Sequence, residues 1–329
     1  MKAIVQDRYG GPEVLRVANV GEPEPLEDEV LVRVRAASVN ARDWHVMRGD
    51  PYIARVMDRK TFGRYGPNVR IRGTDFAGVV EAVGPTVRGL QPGDEVYGEA
   101  EAAFAEYVLA ADSVVELKPA RLSFEQAAAL PTAANTALMG LRDLAHLASG
   151  QRLLVNGASG GVGTYAVQIG KAYGADVTAV CSTRNVDLVD SLGADRVIDY
   201  TREDFTRGSA RYDVVLDLVG NHSLSALRGV LTDGGLLILS GGGVSRGGSV
   251  FGPMKLLIQG QLTARLARRH RIALLTAVPA KQNLTALNNL VQAGQLASAI
   301  DRTYSLAEAA EAIRYLETDH ARAKVVLTV

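Results

Sequence analysis

The sequence predicts an α/β protein of two domains: an antiparallel, barrel-like β-domain and a doubly wound parallel sheet covered by helices. Three observations predict it. The chain has 329 residues, 47% of them hydrophobic, which exceeds the usual size of one domain. Residues 1–122 read as strands and tight turns, with no crossover helix long enough to link parallel neighbours. After Leu122-Ser123-Phe124-Glu125 the texture changes, and short apolar strands alternate with helices.

In the first part, Glu29-Val30-Leu31-Val32-Arg33-Val34-Arg35 alternates, and Gly73 to Gly84 holds a second apolar β-rich run. Gly10-Gly11-Pro12 and Gln91-Pro92-Gly93-Asp94 supply turns. Ser123, followed by an acid and an Ala-rich run, marks a helix start. The strands that follow fall at Arg152–Asn156, Asp176–Cys181, Arg196–Asp199, Asp213–Leu218, Gly235–Ser240 and Ile272–Val278. Beyond residue 279 come a helix (Leu284–Ala293), a strand (Ala299–Tyr304), a helix after Ser305 and a strand (Ala323–Val329). These return to the first domain, giving boundaries of 1–122 with 279–329, and 123–278.

Composition narrows the partners. Thirty-six basic residues balance thirty-six acidic ones, so no overall field draws the chain to nucleic acid or an anionic membrane. A small molecule is the expected partner. No apolar stretch reaches the ~20 residues that span a bilayer. Met1 to Val5 runs straight into Gln6-Asp7-Arg8 without the apolar core of a signal peptide, so the cytoplasm is the expected location. The single cysteine, Cys181, rules out an intrachain disulfide and a thiolate-rich metal centre. Ending an apolar run, it reads as a small buried hydrophobe before it reads as a nucleophile.

The sharpest motif is Leu153-Leu154-Val155-Asn156-Gly157-Ala158-Ser159-Gly160-Gly161-Val162-Gly163, a strand ending in a glycine-rich turn ahead of a helix, Thr164 to Tyr173. Read as G-x-G-x-x-G, Ala158 takes the first glycine place, and Gly160 and Gly163 the second and third. Gly160 lets backbone approach a pyrophosphate, Gly163 lets helix pack on strand, and the helix N-terminus offers N–H groups to the anion. The plain alternative is a tight turn with no ligand. The next strand ends Cys181-Ser182-Thr183-Arg184, with no acid before Asp187 to hold the ribose hydroxyls of NAD. Ser182 can donate to, and Arg184 pair with, the extra phosphate of NADP, so NADPH is the expected cofactor. Otherwise Arg184 is a solvated charge and the site is indifferent.

With these residues in view, the chain resembles the zinc-independent quinone oxidoreductase branch of the medium-chain dehydrogenase/reductase superfamily. The likeness rests on Ala37-Ser38-Val39-Asn40-Ala41-Arg42-Asp43, Gly73-Thr74-Asp75-Phe76-Ala77-Gly78-Val79-Val80, Gly93-Asp94-Glu95-Val96-Tyr97-Gly98, Leu130-Pro131-Thr132-Ala133-Ala134, the glycine turn, and His320-Ala321-Arg322-Ala323-Lys324-Val325-Val326-Leu327. It implies a GroES-like β-barrel domain built from both ends of the chain, a Rossmann domain inserted between, and a cofactor cleft at their junction. It also implies that Thr132, the turn Ser159, Gly160, Gly161, Val162 and Gly163, Tyr200 and Lys324 lie along the cofactor. Tyr200 then sits beside Arg184, or else packs on the adenine side without touching phosphate. The family usually has glycine where Ala323 stands, which bears on how closely that strand approaches the cofactor. Zinc-dependent relatives carry a cysteine at Asn40 and a four-cysteine lobe that has no counterpart here, so no metal is expected.

Without a Lewis acid, conjugate reduction is easier than alcohol oxidation. Hydride reaching the far carbon of an enone or quinone places charge on the carbonyl oxygen, where hydrogen-bond donors stabilise it. Asn40 is the candidate to hold that oxygen or the nicotinamide ribose, unless it merely closes a turn. His45 and Tyr52, on the stretch that lines the substrate mouth in similar proteins, are candidate proton donors, with water or a structural role as the alternative. Pro51–Arg72 forms a flap over the pocket or a solvated face. The bases Arg265, Arg268, Arg269, His270 and Arg271 read as a solvated helix end complementing its dipole, with an anion partner as the alternative. The apolar strand after them is an outer edge, which predicts a two-fold homodimer. Three functions are consistent with these readings: an NADPH-dependent quinone or enone reductase, a dedicated biosynthetic enzyme acting on one bulky substrate, and a non-catalytic nucleotide-binding protein.

Overall fold

The computed structural model describes residues 1–240, 254–264, 269–318 and 321–329. In chain order the first part contains β1 (Lys2–Val5), β2 (Arg16–Asn19), β3 (Glu29–Val39), α1 (Ala41–Arg48), α2 (Ala54–Met57), β4 (Asp75–Val83), β5 (Glu95–Glu99), β6 (Tyr107–Ala111), β7 (Val115–Leu117), α3 (Phe124–Ala128) and α4 (Pro131–Leu138). Next come β8 (Arg152–Asn156), α5 (Gly161–Ala172), β9 (Asp176–Cys181), α6 (Val186–Ser191), β10 (Arg196–Asp199), β11 (Tyr212–Asp217), α7 (Leu224–Gly229), β12 (Leu231–Leu239), α8 (Met254–Ala264) and β13 (Arg271–Leu274). The chain then runs through α9 (Lys281–Gln292), β14 (Ile300–Ser305), α10 (Ala309–Thr318) and β15 (Lys324–Thr328).

Two compact units result: Met1–Asn135 with Val278–Val329, and Thr136–Ala277. The sequence places the division after residue 122, whereas the chain leaves the first unit after Asn135, because α3 packs on β3 and β4. Departure and return points are tied together. Asn135 Nδ2 donates to the Val278 carbonyl at 3.0 Å, and Asn283 Nδ2 donates to Asn135 Oδ1 at 2.8 Å.

The first unit is built on a sheet of order β14-β15-β3-β4-β5-β7, antiparallel apart from β14 beside β15. Strand β3 organises it. Val30, Val32 and Val34 turn inward while Arg33 and Arg35 face water, as period-two patterning requires. The alternation stops at Ala36, and Ala36–Val39 is wholly buried where β15 lies along one edge and β4 along the other. Helix α10 buries Ala309, Ala312 and Ile313, spaced three and four apart, against Trp44 and Met47 of α1. That packing fixes α1, and hence Asn40 at its N-terminal cap.

The second unit holds six strands in the order β10-β9-β8-β11-β12-β13, all parallel. The direction of strand progression reverses between β8 and β11, the place where open sheets of this kind bind ligands. Its main apolar cluster includes Leu154, Val180, Ile198, Val215 and Leu237.

Strand positions follow the sequence reading, but several ends move. β12 begins at Leu231, ahead of the Gly234-Gly235 pair that reads as a break, and absorbs an irregularity in its pairing with β11. β13 spans only Arg271–Leu274, since its partner β12 ends at Leu239. Arg265 and Arg268 lie outside the described residues; Arg269 pairs with Asp233 at 2.6 Å. Cys181 is buried, and desolvation pushes its thiol up to about 11, so it packs as a hydrophobe.

Candidate active site

In the second unit the glycine turn follows β8. Gly157 has φ +89°, the left-handed region that L side chains resist. The tight-turn place therefore belongs to Gly157 and not to Ala158, one residue later, as the sequence suggests. A Cβ on Gly163 would collide with the Gly157 carbonyl oxygen and lie 2.7 Å from Ala158 Cα. Here the helix touches the turn. Gly160 differs, because a Cβ there would meet only Gly157 O, at 3.5 Å. Helix α5 opens at Gly161, three residues before the expected Thr164, and no side chain caps it at Gly160. An uncapped N-terminus at the end of a parallel strand suits an anion.

Ser182, Arg184 and Tyr200 gather at the ends of β9 and β10, where the Tyr200 N–H donates to Cys181 O at 3.0 Å. Tyr200 is 55% exposed and Arg184 is exposed. Sequence reasoning missed Asn185, buried in the same turn, whose Nδ2 donates to Ser159 Oγ at 2.9 Å and to Ser182 Oγ at 3.3 Å. It ties the glycine turn to the next strand end, and among the described residues its buried Oδ1 has no hydrogen-bond partner. A carboxylate stands nearby after all: Asp199, opposite Cys181 on β10. Its oxygens accept from Thr183 Oγ1 at 2.6 Å and from the N–H and Oγ1 of Thr201 at 3.0 and 2.8 Å, and the Thr183 bond leads the contacts that hold its carboxyl below the usual range.

In the first unit a second polar group is buried. Lys324 Nζ, on β15, donates to Asn40 Oδ1 at 2.6 Å and lies 3.6 Å from Asp75 Oδ2 on β4. Asp75 is wholly buried and also accepts from Ser38 Oγ at 3.0 Å, Thr132 N at 3.2 Å and Thr132 Oγ1 at 2.5 Å. Burial lowers the Lys324 pKa, and Asp75 is the largest influence acting against it. Asn40 Nδ2 makes one long bond, 3.4 Å to Thr74 Oγ1. Below it, Asp43 Oδ2 accepts the Asn40 N–H at 2.8 Å and secures the first turn of α1. Burial pushes the Asp43 carboxyl up to about 6, against the pull of Arg72. Asn40, Thr132 and Lys324 are thus brought together, through Asp75. His45 and Tyr52 lie outside this network. His45 is stacked on Trp44 with Nδ1 3.0 Å from Asp50 O, and Tyr52 rests over the Arg55 guanidinium. The flap is pinned by Arg55, sandwiched between Tyr9 and Tyr52, and by Tyr9 Oη donating to Gly63 O at 2.8 Å.

Comparison with known proteins places the chain in a family. A 2-methylene-furan-3-one reductase from Solanum lycopersicum is 34% identical, over 99% of this chain and 79% of its own length. A chloroplastic quinone-oxidoreductase homolog from Spinacia oleracea is 31% identical, over 99% of this chain and 98% of its own. The quinone oxidoreductase of Coxiella burnetii superposes with a TM-score of 0.85 at 31% identity, covering 100% and 99% of the two chains. The chain belongs to the quinone oxidoreductase branch of the medium-chain dehydrogenase/reductase superfamily.

Family models agree with the fold: an alcohol dehydrogenase GroES-like domain matches residues 26–119 and a zinc-binding dehydrogenase domain residues 192–327. The second name implies zinc, which the donors here do not fit. Asn40 presents its oxygen to an ammonium, and among the described residues no group of three or more His, Cys, Asp and Glu side chains is arranged to hold a metal. For this quinone oxidoreductase relative, Ala323 is a backbone matter: its φ is +59°, which explains why glycine suits the position. Ala323→Gly is expected to stabilise the protein by about 0.5–1 kcal/mol, the left-handed penalty less the entropy of glycine, read as a higher urea midpoint.

Proposed function

We propose that this chain is an NADPH-dependent oxidoreductase that transfers hydride to a quinone or an α,β-unsaturated carbonyl compound. The observation that carries it is the uncapped start of α5 at Gly160 beside a turn with no room for side chains at Gly157 and Gly163. A diphosphate fits there. The orphaned Asn185 Oδ1 supports a ligand at the same strand ends. A relative 34% identical, from Arabidopsis thaliana, is named an NADPH-dependent alkenal/one oxidoreductase, and this accords with Arg184 and Ser182 as the phosphate-binding pair.

When bound, NADPH supplies the hydride. Ser159 to Gly163 hold the diphosphate, and Ser182, Arg184 and Tyr200 hold the 2′-phosphate end. Asn40, Thr132 and Lys324 are assigned to the nicotinamide ribose and the substrate carbonyl. Lys324 takes up the oxygen of the Asn40 amide, which fixes the amide so that its N–H side points away as a donor. Charge growing on the carbonyl oxygen during reduction is then met by an oriented donor and a nearby ammonium. No step needs a metal.

NADPH oxidation across quinones, enones and aldehydes, run beside NADH, tests the assignment. Arg184→Ala is expected to weaken NADPH binding about 10- to 100-fold, the worth of one charge-assisted contact, and to leave NADH within twofold. Equal weakening of both removes Arg184 from the phosphate site.

A bulky substrate is the second reading, favoured by the flap, where Tyr52, Val56, Met57 and Tyr65 are all exposed. Cytoplasmic residence and a homodimer complete the proposal. No helix among the described residues is long and apolar enough to cross a membrane. β13 is an edge strand, and light scattering that reports a monomer would remove the dimer.

A further inference from the structure

Hydride addition to an enone leaves an enolate, and a proton must be returned to it. Few groups near Asn40 can serve. Lys324 is 2% exposed, and giving up its proton would leave Asp75 buried without its counter-charge. The Thr132 hydroxyl is committed to Asp75 at 2.5 Å. His45 and Tyr52 stand outside the network, held at Asp50 and Arg55.

Glu99 remains. It is the half-buried last residue of β5, directly opposite Asp75 on β4, so the two carboxyl groups share one face of the sheet. The Thr132 hydroxyl lies between them, its one proton donated to Asp75 and its oxygen able to accept from a protonated Glu99. Two carboxylates placed this way resist ionising together, and Asp75 is the one held by an ammonium. The other charges facing Glu99 are Arg42 on α1, Glu101 in the loop that follows, and Lys324 on β15. Arg42 is drawn away, donating to Glu101 at 2.6 Å and to Thr61 Oγ1 at 3.4 Å. Burial, then the Asp75 charge, pushes the Glu99 carboxyl up to about 7.

We propose that Glu99, in its neutral form, is the proton donor to the reduced substrate. Once the β-carbon has accepted hydride, the π pair of the substrate lies on the enolate. The Glu99 O–H bond then breaks, its proton forms the new C–H bond at the α-carbon, and the carboxylate takes a proton back from water. This rests on the enone-reductase reading above.

The test compares wild type, Glu99→Gln and Glu99→Asp, with but-3-en-2-one and 1,4-benzoquinone as acceptors, from pH 5.5 to 9. Wild-type kcat on the enone is expected to fall about tenfold per pH unit above about 7, as the donor ionises. Glu99→Gln should lower enone kcat by about 100-fold or more and abolish that alkaline limb, and Glu99→Asp should restore part of the rate. Benzoquinone reduction, whose hydroquinone anion can be protonated by water, should stay within about threefold. An unchanged enone rate and pH profile in Glu99→Gln overturns the proposal, as does equal loss on both acceptors with NADPH fluorescence titration unchanged. A ¹³C-glutamate titration of the folded protein is a readout independent of turnover. There Glu99 should titrate near neutrality, and titration in the ordinary carboxylate range overturns the proposal. Wild type that oxidises NADPH with neither acceptor defeats the reductase reading itself.

Discussion

Gly163→Ala is expected to destabilise the second unit by about 3 kcal/mol and to remove NADPH binding. The new methyl meets backbone atoms on two sides, Gly157 O and Ala158 Cα, and backbone that closes a turn between strand and helix yields less than a side chain would. Urea unfolding gives the stability and quenching of NADPH fluorescence gives the binding. Gly160→Ala separates the two effects. Its methyl would have only an ordinary contact with Gly157 O, at 3.5 Å, so the variant should fold with near-native stability. It should nevertheless lose most of its cofactor affinity, because the methyl occupies the side from which the diphosphate approaches. A Gly160→Ala protein that binds NADPH as wild type does would place the diphosphate elsewhere.

Asp75→Ala is expected to cost about 3–5 kcal/mol, the penalty for leaving an enclosed ammonium without its counter-charge. Four donors lose an acceptor together: Lys324 Nζ, Ser38 Oγ, and the N–H and Oγ1 of Thr132. Asp75→Ala combined with Lys324→Met should be more stable than Asp75→Ala alone, because methionine needs no partner in an apolar setting. Thermal unfolding of the two singles and the double closes the cycle. A double variant whose loss equals the sum of the singles would show that the pair does not interact. Activity is expected to stay low in the two variants that lack Lys324, since the Asn40 amide there loses the group that orients it.

Much of this architecture is legible from residue patterns. Alternation over Glu29–Arg35 and the βαβ rhythm after Ser123 carry both sheets, and the motifs at Asn40, Thr132 and Lys324 lead to one polar cluster. What the sequence hides is which charges are enclosed. Asp43, Asp75 and Glu99 look like any of the chain's 36 acids until the sheet closes over them, because burial is a property of tertiary neighbours. Gly157 is concealed differently: the motif read from Gly160 and Gly163 puts Ala158 in the tight-turn place, and only the φ of +89° moves it to Gly157. Strand ends at β12 and β13 shift because a partner strand, rather than local propensity, determines where pairing stops. His45 and Tyr52 are candidates through the family resemblance and their proton-donor chemistry, while the ring contacts with Trp44 and Arg55 that position them answer to local packing, which leaves no mark in the sequence.

The bond from Asn135 to the carbonyl of Val278 spans 143 positions of sequence. Everything from Thr136 to Ala277 therefore departs from and returns to the first unit at two residues that are hydrogen-bonded to each other. A short Gly/Ser bridge from Asn135 to Val278 is a route to an excised first unit that keeps the Asn40–Lys324 pair.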